Sequence, residues 1–233
     1  MKDRLALITG ASRGIGAAVA KRFAREGAHC ILAARDVKGL EETDDAIRSI
    51  GAAATLVPLD LRDPSKIENL AEQVAQRFGR LDILVGNAGM LGELTPLPHL
   101  DPALWNEVMT VNLTANFYLI RCFDVLLKRS DAGRAMFVTS GVTQGALAYY
   151  GAYAASKAAL EMMVNIYAAE NRQAYPHLKI NLIDPGEVRT QMHAQALPGL
   201  DPMQFPAPEE ITDVFVRLAS VDCRETGKKF HAG

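Results

Sequence analysis

The chain has no uninterrupted apolar run of the roughly 18 residues that crossing a bilayer needs, so no membrane span is expected in its 233 residues. Cysteine is sparse: Cys30, Cys122 and Cys223 are odd in number and widely spaced. They offer neither a disulfide framework nor zinc-ligand spacing. That fits a reducing, cytoplasmic setting in which each is a small apolar residue. The histidines (His29, His99, His177, His193, His231) show no metal-ligand spacing either, and no metal site is expected. No charge of one sign dominates. A formal net charge of −2 excludes electrostatic capture of nucleic acid or of an anionic membrane. Repeats, low-complexity tracts and dividing linkers are missing as well, so the length fits one α/β domain over 1–233. Leu5-Ala6-Leu7-Ile8 runs directly into a glycine turn, so a cleaved signal peptide is not expected.

What is present is alternation. Candidate strands at 5–9, 29–34, 54–59, 82–86, 135–139, 179–183 and 228–231, all but the last of them short and mainly apolar, are separated by helical patterns. Near-continuous apolar strands between helices read as a parallel sheet covered on both faces. Ile67, Leu70, Ala71, Val74 and Phe78 share one helical face, and Leu104, Val108, Val111, Ala115, Tyr118, Cys122 and Leu126 form a longer stripe. Asp63-Pro64 and Asp101-Pro102 open these helices, with Asp as N-cap and Pro in the first turn. Pro208-Glu209-Glu210 opens a last helix. Residues 186–207, with Pro198, Gly199, Pro202 and Pro206, show no evident strand or helix and read as a substrate or lid loop.

Between the first strand and the first helix lies Thr9-Gly10-Ala11-Ser12-Arg13-Gly14-Ile15-Gly16. A turn without side chains lets a pyrophosphate reach the backbone, and a helix N-terminus supplies N–H donors. Further along, Tyr153 and Lys157 are four residues apart and share a helical face, with Ser140 thirteen residues before the tyrosine. An ammonium beside a phenol favours the phenolate, so the pair can pass a proton to or from a carbonyl oxygen. Ser140 can hydrogen-bond that oxygen. A second Tyr-x-x-x-Lys, Tyr175 to Lys179, is a decoy. Pro176 disfavours helix there, and no serine lies thirteen residues upstream.

Together these motifs resemble the classical short-chain dehydrogenase/reductase family. The resemblance runs from Leu5 to Thr190 and includes Asp60-Leu61, Asn87-Ala88-Gly89, Asn112 and Pro185-Gly186-Glu187-Val188-Arg189-Thr190, with Thr226-Gly227 before the last strand. It implies a Rossmann-like doubly wound domain with a seven-stranded parallel sheet. The implied catalytic residues are Ser140, Tyr153, Lys157 and Asn112, the last holding a water that links Lys157 to solvent. The implied cofactor site comprises Gly10, Ser12, Arg13, Gly14, Ile15, Gly16, Arg35, Asp60, Leu61, Asn87, Ala88, Gly89, Tyr153, Lys157, Pro185, Gly186, Val188 and Thr190. One departure stands out: the family usually shows two asparagines before Ala-Gly, and here the first is Gly86.

The family's acidic ribose position falls on Ala34, while Arg13 and Arg35 lie nearby. Guanidinium forks suit a 2′-phosphate, so NADP(H) is expected in preference to NAD(H). The competing reading has Asp36 holding the ribose of NAD(H). Tyr150, Gln144, Glu187 and Met192 are candidate pocket residues. The expected reaction is hydride transfer between nicotinamide and a small-molecule carbonyl or alcohol. A 3-oxoacyl-carrier-protein reductase is the alternative enzyme, with Arg121, Lys128 and Arg129 as its weak basic patch. A non-catalytic nucleotide-binding regulator is the alternative of another class. The family implies a homodimer or homotetramer, formed through the long helix after Asp101 and the Tyr153 helix.

Overall fold

The computed structural model describes residues 1–232, in which strands and helices alternate almost throughout. The strands are β1 (Leu5–Thr9), β2 (His29–Ala34), β3 (Ala54–Pro58), β4 (Ile83–Gly86), β5 (Arg134–Val138), β6 (Lys179–Asp184) and β7 (Lys229–His231). They form one seven-stranded parallel sheet in the order β3-β2-β1-β4-β5-β6-β7. This is the doubly wound sheet that the alternation predicts. Strand ends move by at most one residue; Thr139, for example, lies just past the end of β5, before Ser140.

Both sheet faces are covered, which is why the strands carry little polar alternation. Leu5, Leu7, Ala135 and Phe137 point into a core with α3 (Pro64–Phe78), α5 (Ala115–Lys128) and α6 (Gly151–Asn171). Ala6, Ile8, Met136 and Val138 point the other way, into α1 (Gly14–Arg25), α2 (Val37–Arg48) and α8 (Asp213–Ala219). Phe23, Phe123, Phe137 and Phe215 are fully buried in these two cores, each contributing about 2–3 kcal/mol of apolar transfer. The Asp caps form as expected: Asp63 accepts from Ser65 N at 3.1 Å and Asp101 from Ala103 N at 2.8 Å.

Three sequence expectations are refined. The long stripe is α4 (Pro102–Met109) running into α5, but Thr110–Thr114 between them is a π turn. One extra residue in that turn shifts the phase of the stripe and turns Asn112 inward, fully buried. The segment 186–207 is not structureless. It holds α7 (Gln191–Ala196), capped by Thr190, and a 3-10 turn at Pro202–Gln204. Pro208 opens a 3-10 turn, Pro208–Ile211, and α8 follows it.

The amino edge of the sheet is tied by buried arginines. Arg134, 2 % exposed, donates to the carbonyls of Ser220, Gly133, His177, Val221 and Cys223 at 2.8–3.4 Å. Arg4 donates to the carbonyls of Ala219, Asp82 and Ala132, and Asp82 in turn accepts from Leu5 N, Arg80 and Ser130. Arg134 faces carbonyls that have no other charged donor, so its loss strands buried acceptors. Arg134→Met is expected to lower unfolding free energy by about 2–4 kcal/mol with an unchanged m value in urea.

Candidate active site

The strand order reverses between β1 and β4, which opens a crevice at the carboxyl edge of the sheet. Thr9 and Asn87 join the two strand ends there. Thr9 Oγ1 accepts from Asn87 N and Ala88 N at 3.0 and 3.1 Å, and Asn87 Nδ2 donates to Thr9 O at 2.9 Å. The glycine turn follows. Gly10 and Gly14 have φ of 67° and 55°, a conformation that favours glycine. A Cβ on Gly16 would overlap the Gly10 carbonyl. On the outer side the turn is open: the nearest atoms to a Cβ on Gly14 are those of Thr190, at 3.5 Å. The turn therefore has the shape of a phosphate cradle, ending at the N-terminus of α1. Ser12 and Ile15 are half-buried within it.

Around the adenosine end of such a nucleotide, Arg13 and Arg35 are exposed. The Asp36 carboxylate is engaged elsewhere: it caps α2 by accepting from Gly39 N at 3.2 Å. Asp60 pairs with Arg62 at 2.7 Å, and Arg62 also reaches Glu107 at 2.7 Å. The Arg62 hydrogen bond is the main reason the Asp60 carboxyl is lowered to about 2. Leu61 packs against the core beside it. Across the crevice, Pro185 and Gly186 follow β6, Val188 is buried, and Thr190 lies against Gly14.

Tyr153 and Lys157 lie in the first turns of α6, both buried. Lys157 Nζ donates to Val138 O at 2.9 Å and sits 5.8 Å from the centre of the Tyr153 ring. Gly89 is the close neighbour that makes room: a Cβ there would stand 3.4 Å from Lys157 Nζ and 3.3 Å from Asn112 Oδ1. Burial lowers the Lys157 ammonium to about 8. Burial also raises the Tyr153 phenol; the Ser140 hydroxyl works against this, while Asp184 and Tyr150 add to it. Ser140 begins the 3-10 turn Gly141–Gln144, accepting from Val142 N. The Asn112 amide is wholly committed: Oδ1 accepts from Met90 N, and Nδ2 donates to Met90 O and Ser156 Oγ. Its main-chain carbonyl also has a partner, accepting from Asn116 Nδ2 at 2.8 Å.

The decoy separates as the proline predicts. Tyr175 follows the end of α6 and Lys179 begins β6. Of the pocket candidates, Tyr150 stands close enough to affect Tyr153, Met192 is half-buried on α7, and Gln144 and Glu187 are exposed. Among the described residues no cluster could hold a metal ion.

Four residues beside Ser140 were not singled out in the sequence. Glu161 Oε1 accepts from Thr139 Oγ1 at 2.7 Å, Thr143 Oγ1 at 2.8 Å and Lys229 Nζ at 2.9 Å. This cluster ties the residues flanking Ser140 to α6 and to β7. Glu161 could have been found, since it follows Lys157 by one helical turn. Lys229 could not, because only the sheet order brings it there. Burial alone would raise the Glu161 carboxyl, but the donors Thr139, Lys229 and Thr143 outweigh it and hold the group below the usual range. A depressed folded value stabilises above the unfolded value of about 4.3, and the stabilisation is lost as pH falls through the folded one. Glu161→Gln is therefore expected to flatten the acid limb of the stability curve below about pH 4.5, read by urea unfolding across pH. An acid limb identical to the wild type would contradict this role for the carboxylate.

Comparison with known proteins agrees with the geometry. A family model described as short chain dehydrogenase matches residues 4–200. The Escherichia coli oxidoreductase YciK is 38% identical over 236 residues, covering 100% of this chain and 92% of that protein. A Shigella flexneri short chain dehydrogenase complexed with NADP superposes with a TM-score of 0.95 at 37% identity, covering 100% of this chain and 98% of that one. An Escherichia coli short chain dehydrogenase complexed with NADPH gives a TM-score of 0.95 at 38% identity, with coverage of 100% and 97%. With the glycine turn at the switch point and Tyr153 above Lys157 at its side, the chain belongs to the short chain dehydrogenase family.

Proposed function

We propose that this protein is an NADP(H)-dependent oxidoreductase that reduces a carbonyl group, with Tyr153 as general acid. The observation that carries the proposal is the buried Lys157 beside Tyr153, next to Gly89 in the turn that follows β4 at the point where the strand order reverses. The two relatives solved with NADP and NADPH support the choice of cofactor, as do exposed Arg13 and Arg35 and the commitment of Asp36 to a helix cap. Gly10, Ser12, Arg13, Gly14, Ile15 and Gly16 would hold the phosphates, with Arg13 and Arg35 on the 2′-phosphate. Asp60 and Leu61 would border the adenine. Asn87, Ala88, Gly89, Pro185, Gly186, Val188 and Thr190 would line the nicotinamide side. When bound, the cofactor supplies the hydride.

The chain's own residues handle the proton. Ser140 donates a hydrogen bond to the substrate oxygen and fixes its place. Tyr153 transfers its proton to that oxygen. The charge of Lys157 stabilises the phenolate left behind, and the Asn112 carbonyl holds a water through which the proton is replaced. In the oxidising direction the same groups act in reverse.

Of the carrier-protein alternative's patch, Arg121 stays exposed, but the other two cations are engaged. Lys128 pairs with Asp124 at 2.7 Å and sits over Tyr175, and Arg129 bonds Gly79 O. Both are at the far end of α5, about 20 Å of helix from the crevice edge. The regulator alternative would leave the full set Ser140, Tyr153 and Lys157 without a task.

The outer faces of α5 and α6 carry Phe117, Met162 and Ile166, exposed beside Leu113 and Met163. This apolar face supports a homodimer formed through the two helices. Met162→Glu with Phe117→Glu is expected to give monomers in light scattering; an unchanged assembly would contradict this interface.

Tyr153→Phe is expected to lower turnover by about two to four orders of magnitude while NADPH still binds. The measurement is NADPH oxidation across aldehydes, ketones and acyl thioesters, and full activity in this variant would refute the assignment. Reduction is expected to decline as pH rises through about 8, where Lys157 loses its proton. Fluorescence titration is expected to show NADPH binding at least about tenfold more tightly than NADH, and equal or tighter NADH binding would exclude the NADP(H) assignment.

A further inference from the structure

Gly86 occupies the place where the family usually carries the first of two asparagines. It is buried at the end of β4, opposite Phe137 in the β4–β5 register. A Cβ on Gly86 would overlap Asn116 Oδ1 and come within 2.5 Å of a Phe137 ring carbon. The space a β4 side chain would need is thus already filled, and an amide fills part of it from the other direction. Asn116 is the second residue of α5 and is 2 % exposed.

Each end of the Asn116 amide is informative. Nδ2 donates to the main-chain carbonyl of Asn112 at 2.8 Å. Oδ1 is buried and has no hydrogen-bond partner among the described residues. An orphaned buried acceptor is costly, and an apolar side chain of similar size would avoid the cost. The retained benefit lies with the donor. Its target carbonyl belongs to the π turn, and it is the group of Asn112 that the Met90 and Ser156 contacts leave uncommitted. Asn112 and Lys157 abut the same residue, Gly89.

We propose that Gly86 and Asn116 are an exchanged pair: the amide the family carries on β4 is delivered here from α5, and Asn116 is a positioning residue that holds the Asn112 carbonyl in the widened turn beside Lys157. The bond from Asn116 takes one lone pair of that carbonyl and leaves the other for a relay water. The positioning role rests on the reading of Tyr153 and Lys157 as the proton-transfer pair; the exchange itself does not.

A thermal-unfolding cycle over Gly86→Ala, Asn116→Ala and the double variant tests the exchange. Gly86→Ala is expected to lower Tm, and by less in the Asn116→Ala background, where only the Phe137 contact remains. Equal losses in both backgrounds would overturn the pairing. Asn116→Leu tests the positioning role, with NADPH and phenanthrenequinone as the carbonyl probe. Expected are a Tm within about 2 °C of the wild type, an unchanged KM for NADPH, kcat lowered about tenfold and a larger solvent deuterium isotope effect on kcat. An unchanged kcat and isotope effect, or a kcat loss that merely follows a loss of Tm, would overturn it. Full activity of Tyr153→Phe would remove the proton-transfer reading and leave the unfolding cycle standing, so the two failures are distinguishable.

Discussion

Enclosing the Lys157 ammonium costs solvation, and the structure around it supplies what replaces the lost water. The end of β5 offers the Val138 carbonyl. In the turn after β4, Gly89 lies against the ammonium: a Cβ there would meet it at 3.4 Å and Asn112 Oδ1 at 3.3 Å, a tight fit. Helix α6 must begin where it does so that Tyr153 and Lys157 meet on one face. Three elements far apart in sequence are thereby fixed in register by one group, whose lowered proton affinity is the residue of that burial.

The two edges of the sheet divide the labour. At the amino edge, Arg4, Asp82 and Arg134 are saturated by carbonyls, backbone N–H groups and one another, and their geometry is purely cohesive. At the carboxyl edge the polar groups are aimed outward or left short of partners, as with the open face of the glycine turn and the exposed Arg13 and Arg35. Cohesion at one edge lets the other keep groups that would be poor choices for stability alone.

The strands, their parallel order and the two helical layers were legible because burial on both faces leaves an almost uninterrupted apolar record. The caps at Asp63 and Asp101 were legible because Asp-Pro has a local cause. The π turn was not, since a single extra residue only shifts the phase of an otherwise good stripe. Helix α7 was hidden by flanking prolines and by a length of six residues, too short to show a period. Tyr153, Lys157 and Ser140 could be picked out because their spacings are local or fall at element boundaries. Lys229 and Asn116 could not, because their neighbours are set by sheet order and by space left empty at Gly86, and a missing side chain leaves no periodic trace.

The bond from Lys229 to Glu161 also sets an order of events in synthesis. The turn that carries Ser140 is made early, yet one of its braces lies on the final strand. Thr139 and Thr143 precede Glu161 in the chain, whereas Lys229 follows it by 68 residues. The full set of donors on Glu161, and with it the tie from the serine turn to the last strand, is complete only once residue 229 has been made.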